Sequence, residues 1–491
     1  MLFNSIEFLL FFPVVCLLYA VIPKKMRYLW LLAASYFFYM CWNAKYALLI
    51  AASTLVTWLS GLVLARGQHR KLVVATSFLI NLGILGVFKY ADFFFANLNW
   101  LLGYAGLELV NKPFDFVLPV GISFYTFQAL GYTVDVYRGE IPPEKNLLRY
   151  ALFVSFFPQL VAGPIERSKN LLSQIQTMER KALWDYERIL GGCVVMLWGL
   201  FQKMVIADRL AVLVNSVWDT YYFYGTVELA AAAIGFSFQI YCDFASYSTI
   251  AIGAAKVMGF ELMENFNTPY FSRSIQEFWR RWHISLSQWF KDYLYIPLGG
   301  SRCGKLRKYR NLMIVFLVSG LWHGANWTFV IWGGIHGLFQ IIGAETKGLK
   351  DRLNALLHTR TDSFSYRFGQ MVITFALTTF AWIFFRAPSL SEAVEYIRLM
   401  VTKPNWWVIS QGGLYQLGLS HGEMFILTAS LLLMFLFSRL RYGRGQGVDA
   451  FILRQCAWFQ CGFVVLLFCC IFLFGIYGPG YDASQFIYFQ F

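Results

Sequence analysis

FWRRWHISLSQWFKDYLYIPLGG at residues 278–300, followed after a basic loop by SGLWHGANWTFVIWGGIHG at 319–337, places three of the six histidines within sixty residues. His323 lies between the apolar runs LMIVFLV and WTFVIW. An ionisable side chain in such a run is costly unless it faces protein, a polar partner or water, and in a membrane it marks a candidate functional site. This stretch therefore predicts buried histidine chemistry in an apolar environment.

Helical spacing gives a first expectation of which side chains meet. At about 100° per residue, His323 and Asn326 share one helix face, whereas His336 is turned about 220° away from His323. By the same measure Arg280, His283 and Ser287 fall within about 60° of one another and form a polar wall. The glycines of this stretch can interrupt a helix and shift its phase, so a break would change these neighbours.

Composition indicates a polytopic membrane protein. Of the 491 residues, 58% are hydrophobic and only 14% are charged, whereas soluble proteins carry roughly a quarter charged residues. The net charge of +14 is explained by membrane topology, because lysine and arginine gather in cytoplasmic loops. No nucleic-acid-binding motif occurs, and we expect no nucleic-acid partner.

Apolar runs long enough to cross a hydrocarbon core, which takes roughly 20 residues, recur from end to end. They predict an all-α fold of about twelve transmembrane or re-entrant helices. The runs lie near 6–23, 28–43, 46–65, 72–98, 116–137, 148–166, 188–214, 226–256, 311–343, 369–388, 423–440 and 457–477. The acid-free basic cluster at 302–310 is the strongest cytoplasmic signal.

One run interrupts the alternation of cytoplasmic and extracytoplasmic loops along the chain. ALFVSFFPQLVAGP at 151–164 contains Pro158 and Gly163-Pro164, which predicts a broken or re-entrant helix that lines a cavity. Polar residues also occur in the runs at 117–139 and 236–253, the second of which contains Asp243. Such residues form either helix-to-helix hydrogen bonds or the wall of a polar tunnel, and the sequence leaves both open.

Four stretches together resemble the membrane-bound O-acyltransferase superfamily. They are VLPVGISFYTFQ, YCDFASYSTIAIG, ENFNTPYFSRSIQEFWRRWHISLSQWFKDYLYIPLGG and SGLWHGANWTFVIWGGIHG. The resemblance is strongest to the bacterial branch that acetylates alginate, cellulose and peptidoglycan, and it extends more distantly to D-alanyl transfer to teichoic acids. One departure is that ASYST stands where that branch usually has SGYSD, so Ala245 and Thr249 replace the glycine and the acid.

The resemblance implies a single multi-pass domain over 1–491 in the bacterial inner membrane, built around a central tunnel. The acyltransferase core would be about 100–345, with peripheral helices at 1–100 and 365–491. The implied donor is cytoplasmic acetyl-CoA, with no bound cofactor. An extracytoplasmic polysaccharide is the implied acceptor, with a periplasmic SGNH-type acetyltransferase as partner and the lipid bilayer as surroundings.

The resemblance also assigns the site residues. His323 matches the catalytic histidine and His283 the histidine of the RRWHIS motif. Acyl transfer from a thioester needs a base or a nucleophile and stabilisation of the oxyanion. We expect His323 to act as base or transient acyl acceptor, with Asn326 or His283 orienting it or donating to the carbonyl oxygen.

Other residues complete the expected site. The predicted substrate-binding residues are Asn326, Arg280, Arg281, Ser287 and Asp243. The arginines, with the 302–310 cluster, either hold coenzyme A phosphates or anchor the chain to anionic headgroups. No metal-ligand spacing occurs, so no metal is expected.

Two other functions remain open. A secondary transporter with a histidine proton relay would fit the buried polar residues, although the chain lacks the duplicated halves typical of transporters. D-alanyl transfer within the same superfamily would require a D-alanyl carrier protein instead of acetyl-CoA.

Overall fold

A computed structural model describes residues 1–112, 117–478 and 487. The chain separates into two compact units, the first formed by 1–196 and 250–263 and the second by 197–249 and 264–490. Within the described residues the regular structure is helical and no strand occurs. The all-α prediction is therefore confirmed.

The helices follow one another as the hydropathy predicts. The first ten are α1 Ile6–Val21, α2 Arg27–Met40, α3 Ala47–Ala65, α4 Arg70–Leu85, α5 Ala91–Tyr104, α6 Ile122–Tyr137, α7 Leu147–Ser155, α8 Phe157–Leu160, α9 Ser173–Gln176 and α10 Tyr186–Phe201. The others are α11 Asp208–Trp218, α12 Thr226–Val257, α13 Ile275–Arg281, α14 Ile284–Phe290, α15 Lys305–His323, α16 Trp327–Leu356, α17 Phe364–Arg386, α18 Leu390–Thr402, α19 Trp407–Ser410, α20 His421–Arg444, α21 Val448–Leu453 and α22 Ala457–Phe474. Residues of α10 and α12 belong to both units.

Eight helical stretches of the described chain are long and apolar enough to cross a membrane. Seven of them correspond to the runs predicted at 46–65, 72–98, 188–214, 226–256, 369–388, 423–440 and 457–477. The eighth, Trp327–Leu356, overlaps only the second half of the run predicted at 311–343. The helices in the runs at 6–23, 28–43 and 116–137 are shorter, and the start of the third run lies partly outside the described residues. The total of twelve, the central tunnel and the domain limits stay predictions.

The broken helix in the first unit is confirmed. α7 ends at Ser155, Phe156 adopts a non-helical conformation, and a short α8 begins at Phe157 with Pro158 in its first turn. Proline tolerates that position because its missing N–H would be unsatisfied there anyway. The first N–H of α8, on Phe157, instead donates to Ser35 Oγ at 3.1 Å.

The run at 311–343 is two helices rather than one span. α15 ends at His323, Gly324 is extended, and Asn326 begins α16 as its N-cap, accepting the N–H of Thr328 at 3.1 Å. The hydropathy pattern does not predict this break, because the capping residue Asn326 stands within a continuous apolar run. Consequently His323 and Asn326 do not share a helix face.

α15 and α16 pack against each other through glycine. A Cβ added at Gly320 would lie 2.2 Å from the carbonyl oxygen of Phe329, and one added at Gly333 would lie 2.1 Å from that of Phe316. These pairs show that the two helices run antiparallel as a hairpin, with their backbones in direct contact. Small residues of this kind let membrane helices approach closely, and here they fix the position of His323 at the tip.

We expect Gly333→Ala to destabilise the protein and Gly343→Ala not to do so. The first substitution forces the hairpin apart, at a cost of roughly 1–3 kcal/mol or more, whereas a Cβ at Gly343 in the same helix meets nothing within 4 Å. Thermal unfolding of both variants in the same detergent measures the difference. Equal unfolding temperatures would contradict close packing of α15 on α16.

Candidate active site

His283 is held in a turn between α13 and α14. α13 ends at Arg281, Trp282 is extended, and His283 adopts the left-handed conformation (φ 44°, ψ 54°) as the N-cap of α14. The segment around Asn265 fixes this turn, because Ile284 N–H donates to the Asn265 carbonyl at 2.9 Å. His283 is completely buried.

The predicted polar wall is wrong because of this turn. Arg280 and Ser287 lie on different helices, with two non-helical residues between them. The Ser287 hydroxyl donates to the Trp282 carbonyl at 3.4 Å, and Arg280 is exposed. Helical periodicity applied across 280–287 assumed a continuity that the chain lacks.

The side chain of Asn265 determines which nitrogen of His283 carries the proton. Asn265 Oδ1 lies 3.1 Å from His283 Nδ1 and accepts from the backbone N–H of Ser285 at 3.4 Å and from its hydroxyl at 2.9 Å. Asn265 Nδ2 donates to Ser248 Oγ at 2.9 Å. Because a backbone N–H can only donate, this atom of Asn265 is the oxygen. His283 Nδ1 therefore donates, and Nε2 carries the lone pair.

Burial keeps this imidazole neutral. Removal from water lowers the pKa of His283 to about 3, since a low-dielectric surrounding disfavours the charged form. At physiological pH His283 consequently presents a neutral ring whose Nε2 accepts a proton or hydrogen bond. Asn265 and Ser248 are not among the predicted site residues, although both lie within the family-like stretches.

His323 lies beside His283. The two ring centroids are 6.2 Å apart, and His323 is almost completely buried. Its ring packs edge-on against Trp322 at 5.0 Å, Trp332 at 5.1 Å and Phe385 at 5.6 Å. The structure thus brings together the two histidines that the sequence singled out.

His336 belongs to the same aromatic cluster, contrary to the helical-phase expectation. Its ring centroid lies 5.1 Å from that of Trp332, so Trp332 packs against both His323 and His336. Trp279 Nε1 donates to His336 Nδ1 at 3.2 Å. This bond places the His336 proton on Nε2. The hairpin between α15 and α16 brings His336 back towards His323, which a single helix would not do.

Two further predicted residues have structural partners. Asn326 Nδ2 donates to the Pro388 carbonyl at 2.9 Å while its oxygen caps α16. Arg281 pairs with Glu277 at 3.0 Å and donates to the Asn267 carbonyl at 3.2 Å. Both side chains are thereby committed to protein groups, so neither is free to bind substrate in this arrangement.

Asp243 forms a separate buried ion cluster. Lys203 Nζ lies 2.5 Å from Asp243 and 2.8 Å from Asp208, and all three side chains are buried. The second oxygen of Asp243 accepts the backbone N–H of Ile487 at 2.8 Å. Asp243 is thus an ion-pair residue rather than an open substrate ligand. Sequence reasoning overlooked Lys203 and Asp208, although charged residues in an apolar run are themselves a signal.

Comparisons with known proteins agree with this architecture. A multi-pass helical membrane protein with paired buried histidines is the class that the fold and site define. Residues 18–387 match the membrane-bound O-acyltransferase family, and the chain belongs to that family.

Three relatives indicate which acyltransferases the chain is similar to. The chain is 38% identical to "Probable alginate O-acetylase" of Pseudomonas aeruginosa, over 90% of this chain and 83% of the relative. It is 37% identical to "Peptidoglycan O-acetyltransferase" of Helicobacter pylori, over 76% and 73%. "Teichoic acid D-alanyltransferase" of Bacillus subtilis is more distant, at 28% over 47% of this chain and 60% of the relative. The chain is a membrane O-acyltransferase, which excludes the transporter interpretation.

We predict that Lys203→Met prevents stable folding, whereas Lys203→Met/Asp208→Asn/Asp243→Asn recovers part of the folded protein. The single change leaves two carboxylates buried without their cation, and breaking a buried pair costs about 3–5 kcal/mol. The yield of monodisperse protein after extraction in mild detergent measures both variants. Normal yield for the single variant would contradict a mutually dependent cluster.

Asn265→Asp should create a new acidic limb in the pH profile of acyl transfer. In the native chain His283 stays neutral down to its pKa of about 3. A carboxylate at 265 would raise that pKa, so activity that needs neutral His283 would fall as pH falls through the new value. Ser248→Ala, which removes the acceptor of Asn265 Nδ2 and leaves Asn265 Oδ1 in place, should keep the native profile. An unchanged profile in Asn265→Asp would contradict direct contact of residue 265 with the His283 ring in the working enzyme.

Proposed function

We propose that this protein moves acetyl groups from cytoplasmic acetyl-CoA to the outer side of the bacterial inner membrane, for O-acetylation of a polysaccharide. The observation that carries the proposal is the pair of buried imidazoles, His283 and His323, with ring centroids 6.2 Å apart. A hydrogen bond extends about 2.9 Å beyond each ring nitrogen, so both rings can reach one reacting group. The two relatives named as O-acetylating enzymes support acetyl as the acyl group.

His323 carries out the proton transfer or the nucleophilic attack that acyl transfer requires. His323 accepts the proton of the acceptor hydroxyl while that oxygen attacks the thioester carbon, forming a C–O bond. The C–S bond then breaks, and the thiolate of coenzyme A takes the proton back from the imidazolium. In the covalent variant, His323 attacks first and coenzyme A leaves before the acceptor oxygen displaces the imidazole.

The geometry favours one of the two roles expected for His283. Because its Nδ1 donates to Asn265, neutral His283 has no proton on Nε2 to give to a carbonyl oxygen. It can instead accept a hydrogen bond from the acceptor hydroxyl or from the partner ring. His283 therefore orients the reacting groups, and oxyanion stabilisation must come from other donors.

The basic cluster supports a cytoplasmic donor. Arg302 and Arg307 are exposed and form no hydrogen bond or ion pair within the described chain, so both guanidinium groups can pair with phosphate. α15 begins within this cluster at Lys305 and ends at His323. Arg310 and His323 are thirteen residues apart on that helix, which is about 20 Å. A phosphate-bearing donor held at the cytoplasmic end would thus have to extend its thioester deep into the protein.

The acceptor side requires a partner. A polysaccharide outside the membrane cannot enter a site enclosed by aromatic rings, so a periplasmic SGNH-type acetyltransferase would take the acetyl group and esterify the polymer. The names of two relatives include the polymers alginate and peptidoglycan. The polymer would then be chosen by that partner, while the membrane chain supplies acetyl groups.

The deciding experiment follows labelled acetyl from acetyl-CoA on the cytoplasmic side of inverted vesicles into extracytoplasmic acceptor. His323→Ala should lower transfer by about 10²–10⁴-fold, the range typical of a lost general base. His358→Gln changes an exposed histidine and serves as the matched control at equal membrane abundance.

Two outcomes would contradict the proposal. Undiminished acetyl transfer in His323→Ala would remove that histidine from the chemistry. Incorporation of labelled D-alanine from its carrier protein, with none from acetyl-CoA, would replace acetyl by D-alanyl transfer and leave the histidine site intact.

A further inference from the structure

A groove that has no histidine among its lining residues lies in the second unit. It encloses about 800 Å³ and is bounded by α17 and α20, with Tyr241 and Tyr270 at its base. Its volume is in the range of ligand pockets, about 300–1,000 Å³. Val372 of α17 and Leu432 of α20 line the walls and are largely exposed. These apolar walls fit a hydrocarbon chain.

One end of the groove is positively charged. Arg367 at the start of α17 and Arg439 near the end of α20 line it. Both arginines are exposed and, among the described residues, make no hydrogen bond or ion pair. Asp362 is the one acidic residue that lines the groove, so the balance at this end favours an anion. An apolar channel that ends at two available guanidinium groups is complementary to an anionic amphiphile.

Charge distribution places this end at the cytoplasmic surface. Arg352 lies in the last turns of α16, Arg360 follows that helix, Arg367 lies in the first turn of α17, and Arg444 ends α20. By the positive-inside rule these helix ends face the cytoplasm. The cytoplasmic leaflet is the one whose anionic lipids attract such residues.

We propose that the groove binds an anionic glycerophospholipid of the inner leaflet. One acyl chain lies between the walls formed by α17 and α20, and the phosphate pairs with Arg367 and Arg439. The base of the groove is one ring layer from the histidine site, because Tyr241 and Tyr270 each lie 6.1 Å from the ring of Trp282. A bound lipid therefore supports Tyr241 and Tyr270, which pack against Trp282, the residue that precedes His283. The inference does not depend on the acyl group transferred.

The test compares phosphatidylglycerol with phosphatidylcholine of the same acyl chains. The purified full-length chain in neutral detergent is titrated with each lipid, and the unfolding temperature is followed. We expect half-saturation at lower concentrations of phosphatidylglycerol. At about 1 kcal/mol per arginine, Arg367→Gln/Arg439→Gln should raise the phosphatidylglycerol concentration needed roughly thirtyfold.

Matched variants make the result decisive. Arg352→Gln/Arg360→Gln removes two exposed arginines of the same surface outside the groove and should leave the titration unchanged. Val372→Trp/Leu432→Trp fills the groove from its membrane-exposed walls and should abolish stabilisation, with loss of the lipid adduct in native mass spectrometry.

Three results would overturn the proposal. Equal stabilisation by the two lipids would reduce the groove to an apolar contact. Equal loss in the groove and control pairs would indicate diffuse surface charge. Absence of any lipid effect on the unmodified chain would show that the groove does not select a phospholipid.

Discussion

The hydrogen bonds of the Asn265 side chain are the constraint on which the histidine site depends. In an apolar interior every polar group needs a partner, because an unsatisfied one costs about 1–3 kcal/mol. Asn265 Oδ1 meets that need for His283 and Ser285 together, while its amide is held by Ser248. A single amide thereby fixes the tautomer of His283 and the turn that buries it.

Aromatic rings provide the rest of the enclosure. Trp332 lies between His323 and His336, and Trp282 lies beside His283 with its own ring 5.0 Å from Trp382. Rings exclude water without adding charge, so they favour the neutral form of His283 and strengthen any hydrogen bond formed inside. Neutral imidazoles at physiological pH are what a proton-accepting role in acyl transfer requires.

Charged side chains of the second unit occur in two kinds of surroundings. The Lys203 cluster neutralises buried carboxylates by direct contact, whereas Arg367 and Arg439 remain at the surface where lipid headgroups can reach them. Both arrangements follow from the high cost of an isolated charge in hydrocarbon. The sequence contains both kinds of charged residue, yet hydropathy alone does not separate a buried ion pair from an interfacial one.

The sequence by itself determined the membrane class, the helical fold, the broken helix at Pro158 and the pairing of His283 with His323. These follow from composition, run length, proline chemistry and family-like motifs, all of which are local. Only the tertiary structure decided that Asn326 caps a helix, that Arg281 donates to the Asn267 carbonyl, that Asp243 joins Lys203, and that His336 returns to Trp332. Each of those outcomes depends on where the chain turns and on which distant backbone lies close enough to bond. Helical periodicity cannot supply that information, because it assumes an unbroken helix at positions where the helices of this chain end.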